Sequence, residues 1–190
     1  MAATRTYVGF LRAVNVGGRT VGMDALRRAI EAIGYSDVRT ALNSGNVVFR
    51  APEADATIVE RRLESSCARP LGLEIEFVVR DLRSLEAAIA ANPFPEFARA
   101  DPGHLLVILL KSAPTAKNRA AFAEGLEGPE EGRVLGTHAY VTYPAGIGRS
   151  RLTLARIEAA LGTRGTGRNW NTVHRLAALA RTTSAGGEGG

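Results

Sequence analysis

Arg168, Asn169, Trp170, Asn171 and Thr172 set a guanidinium, two carboxamides, an indole and a hydroxyl side by side, and the indole is the only one in the 190-residue chain. Two chemistries suit such a run. In the first, Asn169 or Asn171 accepts a free backbone N–H as a helix cap while Trp170 seals that helix onto a core. In the second, Arg168 and the amides face a phosphate or carboxylate at the helix N-terminus, where the dipole and the unpaired N–H groups favour negative charge. The residues leave both open.

A second polar cluster lies nearer the start of the chain, where Arg12 precedes Asn15-Val16-Gly17-Gly18 and Asn43-Ser44-Gly45-Asn46 follows further on. If the strands bounded by these motifs are antiparallel neighbours, Asn15 and Asn46 meet at one end of a sheet. With Ser44 and the amides of Gly17 and Gly18 they would cradle an anion or a polar ligand. Asparagine, serine and glycine also suit tight turns on conformational grounds alone.

The elements that must hold these groups follow from periodicity. Residues 6–14 read as a strand, and Met23, Leu26, Ile30 and Ile33 mark one face of a helix stopped by Gly34. Residues 38–42 and 46–50 form a hairpin about Ser44-Gly45. Asp55 caps a helix with Val59, Leu63 and Cys67 at i, i+4 and i+8, ended near residues 70–72, and residues 73–80 return as a strand. A connecting helix, 82–91, stops before Asn92-Pro93-Phe94-Pro95, since proline disfavours helix in the residue before it. The order then repeats: strand 104–110, helix 115–124, strands 133–135 and 139–143, and a helix capped by Ser150 with Leu154, Ile157 and Leu161 inward and stopped by Gly162. A strand over 163–168 precedes the Trp170 helix. Two βαββαβ units in tandem describe an α+β protein of two ferredoxin-like (α/β plait) units with antiparallel sheets, over 1–80 and 103–181. Residues 81–102 connect them, and the small polar tail 182–190 has nothing to order it.

Several chemistries lack their residues. There is no Gly-x-x-x-x-Gly-Lys loop, and Val16-Gly17-Gly18-Arg19-Thr20 has neither the spacing nor the lysine. No Gly-x-Ser-x-Gly elbow is present, and Ser44 has no neighbouring base. His104, His138 and His174 stand apart from carboxylates at ligand spacing, so no metal and no cofactor is expected. Glu60 and Glu64 share a helix face but alternate with Arg61 and Arg62, the pattern of a solvated surface. Tyr7, Phe10 and Phe49 fall on the strands an RNA-recognition motif would use, without its diagnostic string, and are assigned to the core.

The composition bounds the rest. Hydrophobic residues make up 45% of the chain, enough for a core without staples, and Cys67 is the only cysteine, so no internal disulfide can form. The net charge of +5 comes from 24 basic residues, of which only Lys111 and Lys117 are lysines, against 19 acidic ones. That balance favours phosphate-bearing partners without selecting one. Arg12 interrupts the first apolar run, which rules it out as a membrane span, and a cytoplasmic protein is expected.

Four motifs carry a resemblance. Leu11-Arg-Ala-Val-Asn-Val-Gly-Gly18, Asn43-Ser-Gly-Asn-Val-Val-Phe49, Asn92-Pro-Phe94 and Arg168-Asn-Trp-Asn-Thr-Val173 resemble, in order and spacing, those of the bacterial family called domain of unknown function 1697. The likeness spans residues 5–181 and implies the same tandem ferredoxin-like fold, with no established activity. Ala13-Val14 departs from the Gly-Ile usual there. The resemblance marks Arg12, Asn15, Gly17, Gly18, Ser44, Gly45, Asn46, Arg168, Asn169, Trp170, Asn171 and Thr172 as binding candidates, with Arg151 and Thr153 about Leu152, and implies no catalytic role. The function expected is binding of a polar or anionic ligand, a phosphate-bearing small molecule, nucleotide or nucleic acid. The alternatives are an enzyme that positions substrate through asparagine and arginine, or an oligomeric scaffold.

Overall fold

Tyr7, Gly9 and Leu11 alternate with Val8 and Phe10, so the first strand is apolar on both faces and suits the interior of a sheet. The computed structural model describes residues 4–12, 21–41, 45–72 and 74–185. In it the chain runs β1 (Arg5–Arg12), α1 (Met23–Ala32), β2 (Ser36–Ala41), β3 (Asn46–Ala51), α2 (Ala56–Leu71) and β4 (Glu76–Asp81). It continues through α3 (Leu82–Ala90), α4 (Pro95–Ala100), β5 (Leu105–Leu110), α5 (Ala116–Glu124), β6 (Gly132–Leu135) and β7 (His138–Thr142). A 3₁₀ turn at Ile147–Arg149 precedes α6 (Leu154–Leu161), β8 (Gly165–Asn169) and α7 (Trp170–Ala185).

Two four-stranded antiparallel sheets result, in the orders β2-β3-β1-β4 and β6-β7-β5-β8. The fold is mixed α+β, each sheet with its helices. By internal contacts the chain divides into Met1–Glu86 with Arg175–Gly190, and Ala87–His174. In the first unit Leu26, Ile30, Val59, Leu63 and Cys67 bury against the sheet face of Tyr7, Leu11, Phe49 and Phe77. Tyr7 and Tyr35 flank Phe49 with ring centroids 6.0 and 5.2 Å away. Tyr7, Phe10 and Phe49 are wholly buried, which removes them as platforms for bases. In the second unit Phe122, Ile157 and Leu161 cover Ile108, Leu110, Val141 and Tyr143.

Local signals read from the sequence act as physics requires. Asp55 accepts from the Thr57 N–H at 2.7 Å and caps α2, while Gly72 (φ 63°) and Gly162 (φ 66°) end α2 and α6 in the left-handed region. Four readings change. Pro95–Ala100 is helix rather than turn, with proline at the first helical position, where its missing N–H costs nothing. The cap of α6 is Thr153, which accepts from the Arg156 N–H at 3.3 Å, and not Ser150. Helix α7 continues to Ala185 into the expected tail, with Thr183 buried and its hydroxyl donating to Leu179 O.

The fourth change concerns Glu60 and Glu64, which do not form a solvated face. Glu60 is 9% exposed and accepts from Val79 N–H at 3.0 Å, and Glu64 accepts from Phe77 N–H at 2.9 Å. Both carboxylates satisfy backbone donors of β4, which lies at the edge of its sheet. Glu158 of α6 does the same for Gly165 N–H of β8, at 2.7 Å. In each unit a helical glutamate closes the outer strand.

Tyr140 and Tyr143 are buried and donate to Ala88 O at 2.7 Å and Leu152 O at 3.0 Å. Burial pushes both phenols up to about 12, with the Glu130 charge adding to the shift at Tyr143. The unfolded chain releases these protons near the ordinary tyrosine value while the folded chain keeps them, so stability is full below about pH 10 and falls as pH rises to about 12. The expected loss is roughly 2 kcal/mol for each tyrosine. Denaturant melts at pH 9 to 12 should show the fall, with a shallower slope in Tyr140→Phe.

Candidate functional site

Gly146-Ile-Gly-Arg-Ser-Arg-Leu-Thr153 sets two glycines ahead of two arginines and two hydroxyls, immediately before α6. Gly146 has φ 89°, a left-handed conformation glycine adopts freely, and its N–H bonds Tyr143 O at 2.9 Å, so the chain reverses at the end of β7. The 3₁₀ turn follows, with the Arg149 N–H donating to Gly146 O and the Ser150 N–H to Ile147 O, both at 3.2 Å. Ser150 Oγ accepts from Leu152 N–H at 3.0 Å and donates to Glu130 Oε1. That hydroxyl ties two segments together, since Glu130 belongs to the turn leaving α5. Thr153 then starts α6 and projects Arg156 one turn along.

Between these segments lies a cleft of about 470 Å³, within the range of small-molecule sites of roughly 300–1,000 Å³. Phe122, Leu126, Leu152 and Ala160 supply its apolar lining, and Arg149, Arg151 and Arg156 its cationic one. All three arginines are exposed, and among the described residues none forms an ion pair. Glu127 and Glu130 also line the cleft, with Glu130 engaged by Ser150. Guanidiniums held over an apolar floor can take a phosphate or carboxylate by two parallel N–H bonds while the floor receives a ring or chain.

The binding candidates fall into four groups. Asn15, Gly17, Gly18 and Ser44 lie outside the described residues. Arg12, Gly45 and Asn46 belong to the first unit. Arg12 pairs with Glu76 at 2.8 Å across β1 and β4. Gly45 has φ 70°, and a Cβ there would lie 2.9 Å from Leu11 Cβ, so the turn itself demands glycine. Asn46 is wholly buried, with its amide 3.4 Å from Ala41 O.

Arg168 to Thr172 meet in the second unit at the junction of β8 and α7. Arg168 donates to Thr166 Oγ1 at 2.8 Å and Gly167 O at 2.9 Å, and burial lowers its pKa to about 10, so it keeps its charge at neutral pH. Asn169 Oδ1 accepts from Thr172 N–H at 2.9 Å, the capping bond expected of it. Trp170 is half-buried and meets His174 edge-on at 4.7 Å, and Asn171 is exposed. Of the sequence candidates, Arg151 lines the cleft and Thr153 caps the helix that carries Arg156.

Sequence reasoning passed over Arg149, Arg156 and Glu130. The signal was the Gly-x-Gly-Arg-Ser-Arg string, which joins backbone freedom to anion-binding groups. It also left His104 without a carboxylate, whereas His104 Nδ1 lies 2.7 Å from Asp101 Oδ2. An aspartate three residues earlier was the cue. No helix among the described residues is long and apolar enough to cross a membrane.

The model of the family described as protein of unknown function (DUF1697) matches residues 4–140. No curated protein matches the chain. Among solved structures, the conserved bacterial protein SP0830 from Streptococcus pneumoniae is similar, at 21% identity and a TM-score of 0.75, over 94% of this chain and 99% of that one. At that identity the likeness concerns the fold.

Proposed function

The chain belongs to the DUF1697 family of proteins of unknown function, and from that premise we propose that it binds a phosphate-bearing small molecule in the arginine-lined cleft of its second unit. One observation carries the reading: three exposed guanidiniums, those of Arg149, Arg151 and Arg156, with no ion pair among the described residues, line one cleft with an apolar floor. The anionic group sits against the arginines and the rest of the molecule lies over Phe122 and Leu126. The cleft volume favours a ligand of nucleotide size over a polymer. Each unit reads as a ferredoxin-like plait, since both the βαββαβ element order and the strand order with the first and third strands central and paired support that finer assignment. The polar corners at Asn46 and Arg168 have structural duties that account for their residues, so the cleft is the stronger site.

The test is isothermal calorimetry and thermal melting of the full chain with inorganic pyrophosphate and adenosine monophosphate. Binding with saturable heat is expected, weaker at higher salt, and ligand at about 100 times its Kd should add roughly 2.7 kcal/mol of stability. No heat and no shift at millimolar ligand would sink the reading, as would tighter binding of a nucleic-acid polymer that Arg149→Ala leaves unchanged.

A further inference from the structure

Beside the arginine cleft lies an open groove of about 510 Å³, lined by Asp101, His104, Pro144 and the glycine-rich turn up to Arg149. Ala145 and Arg149 line both spaces. An anion held on Arg149 is therefore accessible from either side. His104 is firmly placed: its N–H bonds Asp101 O at 3.2 Å, and its carbonyl accepts from Tyr143 N–H at 2.9 Å. The ring is half exposed, and Asp101 Oδ2 at 2.7 Å holds Nδ1. With the Nδ1 proton directed at that carboxylate, Nε2 carries the free lone pair. A Cβ on Gly146 would stand 3.6 Å from Nε2, so glycine at this position leaves that nitrogen uncovered.

We propose that this groove is a hydrolytic site for phosphodiesters, in which His104 is the general base and Arg149 holds the phosphate. The proposal rests on the anion-binding reading of the adjoining cleft. In the step, a water oxygen forms a bond to phosphorus as one of its protons passes to His104 Nε2. The bond from phosphorus to the leaving oxygen breaks, and its electron pair departs on that oxygen, which is protonated by His104 or by solvent. One diester and one water give one monoester and one alcohol, with no change of oxidation state. Asp101 fixes the tautomer and steadies the imidazolium, and Arg149 offsets charge gathering on the phosphoryl oxygens.

The probe is bis(4-nitrophenyl) phosphate, read as release of 4-nitrophenolate by the full chain. Turnover above buffer is expected, and His104→Gln should lower kcat about 100-fold or more with KM held within about twofold. Asp101→Asn, at a half-exposed position, should also lower kcat and keeps the test meaningful if His104→Gln does not fold. A pair that merely staples the turn would change the melting temperature and leave kcat alone. Turnover no faster than buffer, or His104→Gln as active as the parent, overturns the proposal. If pyrophosphate still binds in calorimetry under that outcome, the arginine cleft stands and only hydrolysis fails. If it does not bind, both fail.

Discussion

Gly165→Ala is expected to lower the stability of the protein by about 2–3 kcal/mol, and Gly165→Val by more, the range of overpacked cores. A Cβ at this position would lie 2.8 Å from the Leu109 carbonyl oxygen, 3.0 Å from Leu110 Cδ2 and 3.1 Å from Ile108 Cγ2. The nearest of these atoms is backbone inside β5, which is paired on both sides and cannot move away. Any shift of β8 would also strain the Gly165 N–H bond to Glu158. Two companions calibrate the effect. At Gly167 the close atoms are the flexible end of Leu106, so alanine there should cost about 1 kcal/mol. At Gly148 nothing lies within 4 Å, and alanine should be nearly neutral. At roughly 2–4 °C per kcal/mol for a chain of this size, Gly165→Ala should melt about 5–10 °C low while Gly148→Ala does not move. Equal melting temperatures for the two would contradict the packing described for β8.

Removing Arg149 and Arg156 together should weaken pyrophosphate binding by about 100-fold or more. Each charge-assisted hydrogen bond contributes roughly 1.5–3 kcal/mol, and about 2.7 kcal/mol in all corresponds to that factor. Because both side chains are exposed and carry no ion pair among the described residues, Arg149→Ala/Arg156→Ala should melt within about 2 °C of the parent. The pair of measurements separates recognition from folding. Lysine at both positions should restore part of the affinity, since it returns the charge without the planar fork. Calorimetry at two salt concentrations checks the sign: the parent should lose affinity with salt more steeply than the alanine double variant.

Much of the fold was legible because its signals are local. Asp55 at an N-cap, glycines at the ends of α2 and α6, and the spacing of Val59, Leu63 and Cys67 each act within a turn or two of helix. What the sequence concealed depends on which element faces which. Glu60 and Glu64 alternate with Arg61 and Arg62 as solvated residues do, yet their face of α2 meets the edge of β4, whose amides need acceptors. Ser150 and Thr153 are both capping residues, and only the geometry of the preceding 3₁₀ turn assigns the cap to Thr153 and turns Ser150 towards Glu130. The cleft was hidden for the same reason. Its walls come from the turn after α5 and the turn after β7, segments that no periodicity links. Asp101 and His104 are an exception, close in sequence and readable as a pair.

The first unit is assembled from two separated stretches, Met1–Glu86 and Arg175–Gly190, and Arg181 bonds Glu86 between them at 2.6 Å, whereas the second is one continuous stretch. Synthesis therefore completes the unit second in sequence before it completes the first. Residues 87–174 are all made before residue 175, when the first unit still lacks the stretch from Arg175. The earlier-made stretch has to wait for a helix segment encoded almost ninety positions later. A nonsense mutation just after His174 would therefore keep every residue of the unit it adjoins and cut into the one encoded farthest upstream.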